Sequence, residues 1–363
     1  MKINNIKLKI IISCIIFFII SFISIYSVSN TYATKQMFWY VIGIIIILLF
    51  KKTNIDKILD ISFILYIFLN IILIFLLIFG NKINGSKCWI ILPKIGSFQP
   101  SEFMKIIIIL INAKCFSILN KKRKYTFKSD FKTFLIIISL TLIPSILTFL
   151  QPDTGMVLIY FLISLVMLYM YGIKKTVILT FVLVLSTFIV VFFGIYFFKE
   201  KTFINIFGTS FFYRINRITD WTNNDGIQIK NALSAIKAAG IKGFGIRNTP
   251  IYIPEAHTDF IFSVFASNTG FIGSVILILN ILFFDIQLFK LIKISNNKNY
   301  KYIVIGFLTM ILYQQIQNIA MNIGLLPIIG ITLPFISYGG SSLLSYMVIL
   351  GIILNYKNIR LNY

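Results

Sequence analysis

Residues 253–262 read Ile-Pro-Glu-Ala-His-Thr-Asp-Phe-Ile-Phe, and they hold the chain's only histidine, His257, and an acid, Asp259, at the lip of an apolar run. The chain is 58% hydrophobic and has only 11 acids, so a carboxylate in that place is conspicuous. An ionisable group held at membrane depth is costly, and such groups mark substrate pathways and proton-handling sites. A plainer reading also fits: Asp is a favoured helix N-cap and interacts well with the helix dipole. The decapeptide alone supports both.

Three further blocks carry polar chemistry. Gln99-Pro100-Ser101-Glu102 precedes Lys105. Pro100 suits a first helical turn, Ser101 can cap it, and Glu102 and Lys105 share a helix face. A structural ion pair explains that pattern, yet a lysine inside an apolar run also fits a cavity role. Arg214 and Arg217 lie three apart in a long polar segment, where two guanidinium groups could clamp a diphosphate. They equally suit an interfacial amphipathic helix resting on lipid phosphates. Residues 322–342 interrupt apolar sequence with Pro327, Pro334 and several glycines, then end in a hydroxyl-rich turn with Ser337 and Ser341. Broken backbone at membrane depth is tolerated only where protein or water satisfies it, which implies a polar-lined cavity. Gln151-Pro152-Asp153 reads as a turn with a helix cap.

The elements that must position these groups are membrane spans. Runs of roughly 20 apolar residues recur along the chain. About ten are expected, near 9–28, 37–50, 61–80, 103–119, 133–150, 155–172, 176–198, 260–289, 303–324 and 339–356. This predicts an all-α polytopic membrane protein forming a single integral domain over residues 1–363, with the first run a span rather than a cleaved leader. The eighth run is too long for one simple crossing, so its first part, from Asp259 to Gly270, is expected to line a cavity or lie at the outer surface. Lysines cluster in the loops after spans two, four, six and eight and at both ends of the chain, which places both termini in the cytoplasm. Residues 81–102, 151–154, 325–338 and the long loop 199–258, between spans seven and eight, then face outward.

The formal charge of +23 is no nucleic-acid signal, because the lysines sit in short loops beside the membrane, where anionic lipids are their natural counterions. Cys14, Cys88 and Cys115 have no metal-ligand or redox spacing. The sequence holds no Walker loop, GxGxxG, HExxH or serine-hydrolase elbow.

Together the blocks resemble the SEDS family of RodA/FtsW/SpoVE-like proteins. The similarity rests on Trp89 with Gln99-Pro100-Ser101-Glu102 and Lys105; on Gln151-Pro152-Asp153 with Gly155; on Pro254 to Phe262; and on Leu333-Pro334-Phe335 with Ser337 to Ser342. The resemblance implies a peptidoglycan glycosyltransferase that polymerises lipid II in the bacterial cell membrane, working with a class B penicillin-binding protein. It implies Asp259 as general base, with Glu102, Lys105, Arg214, Arg217, His257, Ser337 and Ser341 binding substrate. A divalent cation, magnesium or manganese, is plausible with a diphosphate substrate, though no ligand cluster identifies one and no organic cofactor is implied. Ser267 and Asn268 stand where the family commonly has two glutamates, Cys88 stands where an arginine or a small residue is usual, and a glycine pair is reduced to Ala239-Gly240. Two rival functions share the scaffold: a lipid II flippase and a non-catalytic scaffold for the penicillin-binding protein. The polar residues concentrate on the outer side, which favours the enzyme; Asp285, near the inner end, is the exception, with Lys290 and Lys293 as expected partners.

Overall fold

The computed structural model describes residues 2–80, 86–92, 96–121, 123–124, 126–207 and 226–355. Its long helices are α1 (Lys2–Val28), α2 (Asn30–Phe50), α3 (Ile55–Phe79), α4 (Pro100–Asn120), α5 (Phe127–Leu150), α6 (Thr154–Tyr171) and α7 (Lys175–Phe198). After the short α8 (Glu200–Phe207) and α9 (Ile227–Ala239) come α10 (Ile261–Ile294), α11 (Lys298–Asn322) and α12 (Gly340–Asn355). A small antiparallel hairpin, β1 (Ile90–Leu92) with β2 (Gly96–Phe98), pairs Ile90 with Phe98 and precedes α4.

Seven of these helices, α1, α2, α3, α5, α6, α10 and α11, are long and apolar enough to cross a membrane. With α4, α7 and the shorter α12 they match the expected spans one for one. Most begin several residues earlier than the apolar runs do, because capped polar turns extend them. Asn54 accepts from the amide of Asp56 ahead of α3, Thr126 from that of Ser129 ahead of α5, and Asn297 from that of Tyr300 ahead of α11.

Helix α4 is the polar axis of the bundle. It is buried almost without interruption from Pro100 to Ala113 and packs against α3, α5, α6, α11 and α12. A helix covered on every side can carry Glu102, Lys105 and Asn112 inward. Its close approach to α11 depends on Gly306, where a Cβ would stand 2.8 Å from the Ile109 side chain.

The over-long eighth run is broken, as its length requires. Gly270 adopts φ 66°, ψ −159° and splits α10 into a short outer piece and a full crossing. The loop after α9 plugs the break: Phe244 and Gly245 amides donate to the carbonyls of Ser267 and Asn268, and Phe271 and Ile272 amides donate to Gly240 and Ile241. Orphaned helix-end groups are thereby paired, and glycine is needed on both sides, since a Cβ on Gly243 would lie 2.4 Å from the Asn268 carbonyl oxygen. Helix α9, inside the long loop, buries Ile229, Ala232, Ala235 and Ala239 along one stripe facing α10.

Candidate active site

Four chain segments meet at one end of the bundle: the start of α4, the turn before α6, the loop before α10, and the irregular stretch 323–339 before α12. The lysine-rich connections lie at the other end, where Arg123 donates to the carbonyls of Tyr171 and Gly172 and pairs with Asp130 at 3.1 Å.

Asp259 is held by its backbone. Its carbonyl accepts from the side-chain amides of Asn318 and Asn322, each at 2.9 Å, one turn apart on α11. Asn318 also donates to Ile331 at 2.7 Å, so one amide ties the aspartate loop to the irregular stretch. Asn322 turns its oxygen to Ser263, accepting from the backbone N–H at 3.0 Å and the hydroxyl at 2.6 Å, at the otherwise unpaired start of α10. Ser337 completes the frame by donating to the Thr258 carbonyl at 2.7 Å and accepting from the Leu333 amide at 2.8 Å. The Tyr338 amide donates to His257, while Tyr40 and Ser21 bind the carbonyls of Phe335 and Ile336.

With the backbone pinned, the Asp259 carboxyl lies beside Gly330, where a Cβ would come within 3.6 Å of it. Burial first, then the negative fields of Glu255 and Asp153, push its pKa up to about 7. It is therefore poised to exchange a proton near neutrality. His257 stacks flat on Tyr32, with centroids 4.4 Å apart and planes at 6°. Burial pulls the imidazole below its ordinary pKa against the opposing effect of Glu255, so it is neutral where Asp259 titrates.

Asp153 does more than end a turn. It caps α6 through the Met156 amide at 3.3 Å, and its other oxygen accepts from Gln99 at 2.9 Å and Ser101 at 3.3 Å. Burial raises its pKa to about 6. Ser341 joins the same cluster, accepting from the Gln99 amide at 2.9 Å and donating to Ser97 at 3.2 Å. One turn deeper, Glu102 and Lys105 form an ion pair at 2.5 Å that is closed to solvent, with the ammonium 4.9 Å from the Tyr346 ring centroid.

The structure thus brings Asp259, His257 and Ser337 together in one frame and Ser341 into the adjoining Gln99–Asp153 cluster, with Glu102 and Lys105 beneath. Arg214 and Arg217 lie outside the described residues. Sequence reading missed Asn318 and Asn322, although a signal exists: Gln314, Gln315, Gln317, Asn318 and Asn322 crowd five amides into the outer half of one span. It also gave Asp285 lysine partners, whereas its carboxylate accepts from Gln315 on the neighbouring helix at 3.4 Å. Among the described residues no three His, Cys, Asp or Glu side chains converge on a cation site.

Among the described residues, seven helices long and apolar enough to cross a membrane, packed with three further helices, define a polytopic membrane protein with a clamped carboxyl at one end of the bundle. The chain belongs to the FtsW/RodA/SpoVE family of cell cycle proteins, whose pattern it matches over residues 3–361. It is 35% identical over 301 residues to a probable peptidoglycan glycosyltransferase FtsW of Wigglesworthia glossinidia brevipalpis, covering 78% of this chain and 72% of that protein. Similarity to the stage V sporulation protein E of Bacillus subtilis is 31% over 298 residues, covering 76% and 72% respectively. The fold matches the rod shape determining protein RodA of Thermus thermophilus with a TM-score of 0.69 at 22% identity, covering 95% of this chain and 94% of the other. A chain in a peptidoglycan synthase complex that coordinates polymerization and crosslinking matches with a TM-score of 0.78, also at 22% identity, covering 95% of both chains.

Proposed function

We propose that this chain is a peptidoglycan glycosyltransferase that polymerises lipid II into glycan strands on the outer face of the cytoplasmic membrane. The observation that carries the reading is the Asp259 carboxyl, pinned through its backbone and titrating near neutrality, in a chain of this family. As general base it takes the proton from the GlcNAc C4 hydroxyl of one lipid-linked disaccharide. That oxygen bonds to the MurNAc C1 of a second, the C1–O bond to the diphosphate breaks, and undecaprenyl diphosphate leaves. The departing anion needs cations, and we assign that part to Arg214 and Arg217. Lys105, fully buried against Glu102, positions the start of α4 and thereby Gln99, Ser101 and Asp153. Ser337 and Ser341 spend their hydroxyls on backbone ties, and they act by holding the frame around the substrate. His257, neutral and stacked, offers a hydrogen-bonding edge beside the base. A class B penicillin-binding protein is the expected partner, supplying crosslinking to the new strand.

The test is polymerisation of lipid II by purified protein, with and without such a partner, comparing wild type with Asp259→Asn. Strands from wild type and none from the variant are expected. Equal polymer from both would remove Asp259 from the mechanism, and no polymer from wild type with its partner would remove the activity.

A further inference from the structure

The end of the bundle opposite Asp259 carries a cavity of about 310 Å³ that the reaction does not use. Ser117, Asn120 and Lys121, at the end of α4, form one wall. Asn297, Lys298 and Asn299, at the start of α11, form the other, over an aromatic floor of Phe116 and Tyr302. No acid lines it. Both lysines are exposed, and among the described residues neither makes an ion pair. The nearby acid Asp130 is already committed to Arg123. The first amides of α11 add the positive end of a helix dipole.

Depth decides what fills such a site. The cavity lies where two bilayer-crossing helices end, which is the level of lipid phosphates, and its aromatic floor continues into the apolar bundle through Phe116 stacked on Tyr171 at 4.5 Å. Its volume exceeds that of a lone phosphate and suits a phosphodiester with its glycerol. We infer that the cleft between the end of α4 and the start of α11 is a binding site for the headgroup of an anionic phospholipid. The lysines grip the phosphate, and the asparagine amides and Ser117 hydrogen-bond its oxygens. The site bridges the inner ends of the two helices whose outer ends hold Gln99, Glu102, Asn318 and Asn322. Lys121 stands sixteen residues beyond Lys105, or about 24 Å along the helix.

The experiment is native mass spectrometry of the intact protein released from mixed micelles of phosphatidylglycerol and phosphatidylcholine. Wild type is compared with Lys121→Gln/Lys298→Gln and with Lys51→Gln/Lys52→Gln, which removes the same charge from the loop after α2. A lysine held against a bound lipid phosphate contributes about a factor of five to its affinity, so the first pair should lower phosphatidylglycerol retention by roughly tenfold or more. The second pair does not line this cleft and is exposed to screening by salt, so its loss should change retention by less than about threefold. Equal losses in both variants would reduce the effect to bulk charge and overturn the site. Displacement of the lipid by millimolar inorganic phosphate would assign the cleft to a free anion instead, which also overturns it. Should the first pair fail to fold, Lys121→Gln and Lys298→Gln tested singly carry the same comparison.

Discussion

Asp259→Asn should separate function from stability, in opposite directions. The wild-type carboxyl is raised from 3.8 to about 7, so above neutrality the folded protein carries a carboxylate that the unfolded chain would hold more comfortably in water. The sign follows from proton counting. Between pH 4 and 7 the folded state binds more protons than the unfolded state, so stability falls as pH rises through that window and levels off above it. Three pH units at about 1.4 kcal/mol each set a ceiling of about 4 kcal/mol. Partial solvent contact and relaxation reduce this to about 1–3 kcal/mol. Asparagine keeps the shape and the backbone ties and cannot ionise. In detergent at pH 8, thermal unfolding followed by intrinsic fluorescence should show a higher midpoint for the variant, while lipid II polymerisation disappears. The gain should be well under half as large at pH 5 and vanish below about pH 4. A variant no more stable than wild type at pH 8, or more stable by the same margin at every pH, would refute a strongly raised carboxyl.

If Asp259 is the base, wild-type polymerisation should climb with pH to a plateau above about 7, because only the ionised carboxylate accepts the proton. Glu255→Gln removes the second-ranked cause of the shift and leaves burial, so the midpoint should move down by a fraction of a pH unit; an upward move would contradict the electrostatics. Asn322→Leu leaves the Ser263 amide unpaired and strips one bond from the Asp259 carbonyl. It should destabilise by about 2–4 kcal/mol in the same unfolding assay, where a neutral result would show that the clamp is dispensable. Glu102→Gln leaves an uncompensated buried ammonium and should cost about 3–5 kcal/mol, whereas Glu102→Leu with Lys105→Met should recover much of that loss.

What was legible in the sequence was whatever depends on one segment at a time. The spans show as apolar runs because lipid imposes their length, and the eighth run shows as too long for one crossing, whereas only the fold places the break at Gly270. Asp259 and the Glu102–Lys105 pair were legible as charges where charge is expensive. Their surroundings were not, because these are made across the chain. The Asn322 clamp joins residues 63 apart, and the Ser337 bond to Thr258 joins residues 79 apart. Asp285 shows the failure most directly. Sequence proximity offered Lys290 and Lys293, but Lys293 turns its ammonium over Phe289 at 4.7 Å, and the carboxylate turns inward to Gln315. Likewise, a serine such as Ser337 advertises a hydroxyl for substrate, and only the fold reveals that both its hydrogen bonds are taken by backbone.

The two neutral residues that replace acids common in chains this one resembles bear on how its base is tuned. Asn268 is built into the loop lock: its amide donates to Ser27 at 2.7 Å, its side-chain oxygen accepts from Thr249 at 3.0 Å, and its carbonyl accepts from Gly245. A carboxylate in that place could only accept, so Ser27 would have to reverse its hydroxyl. Ser267 is fully buried on the same piece of α10, and a glutamate there would have to be solvated or protonated in a space that now holds a small side chain. Asp259 already has Glu255 and Asp153 pressing its pKa upward. Further anions on the short helix that begins two residues after it would press in the same direction. Neutral residues at 267 and 268 therefore leave the loop lock intact and add no further upward pressure on the Asp259 carboxyl.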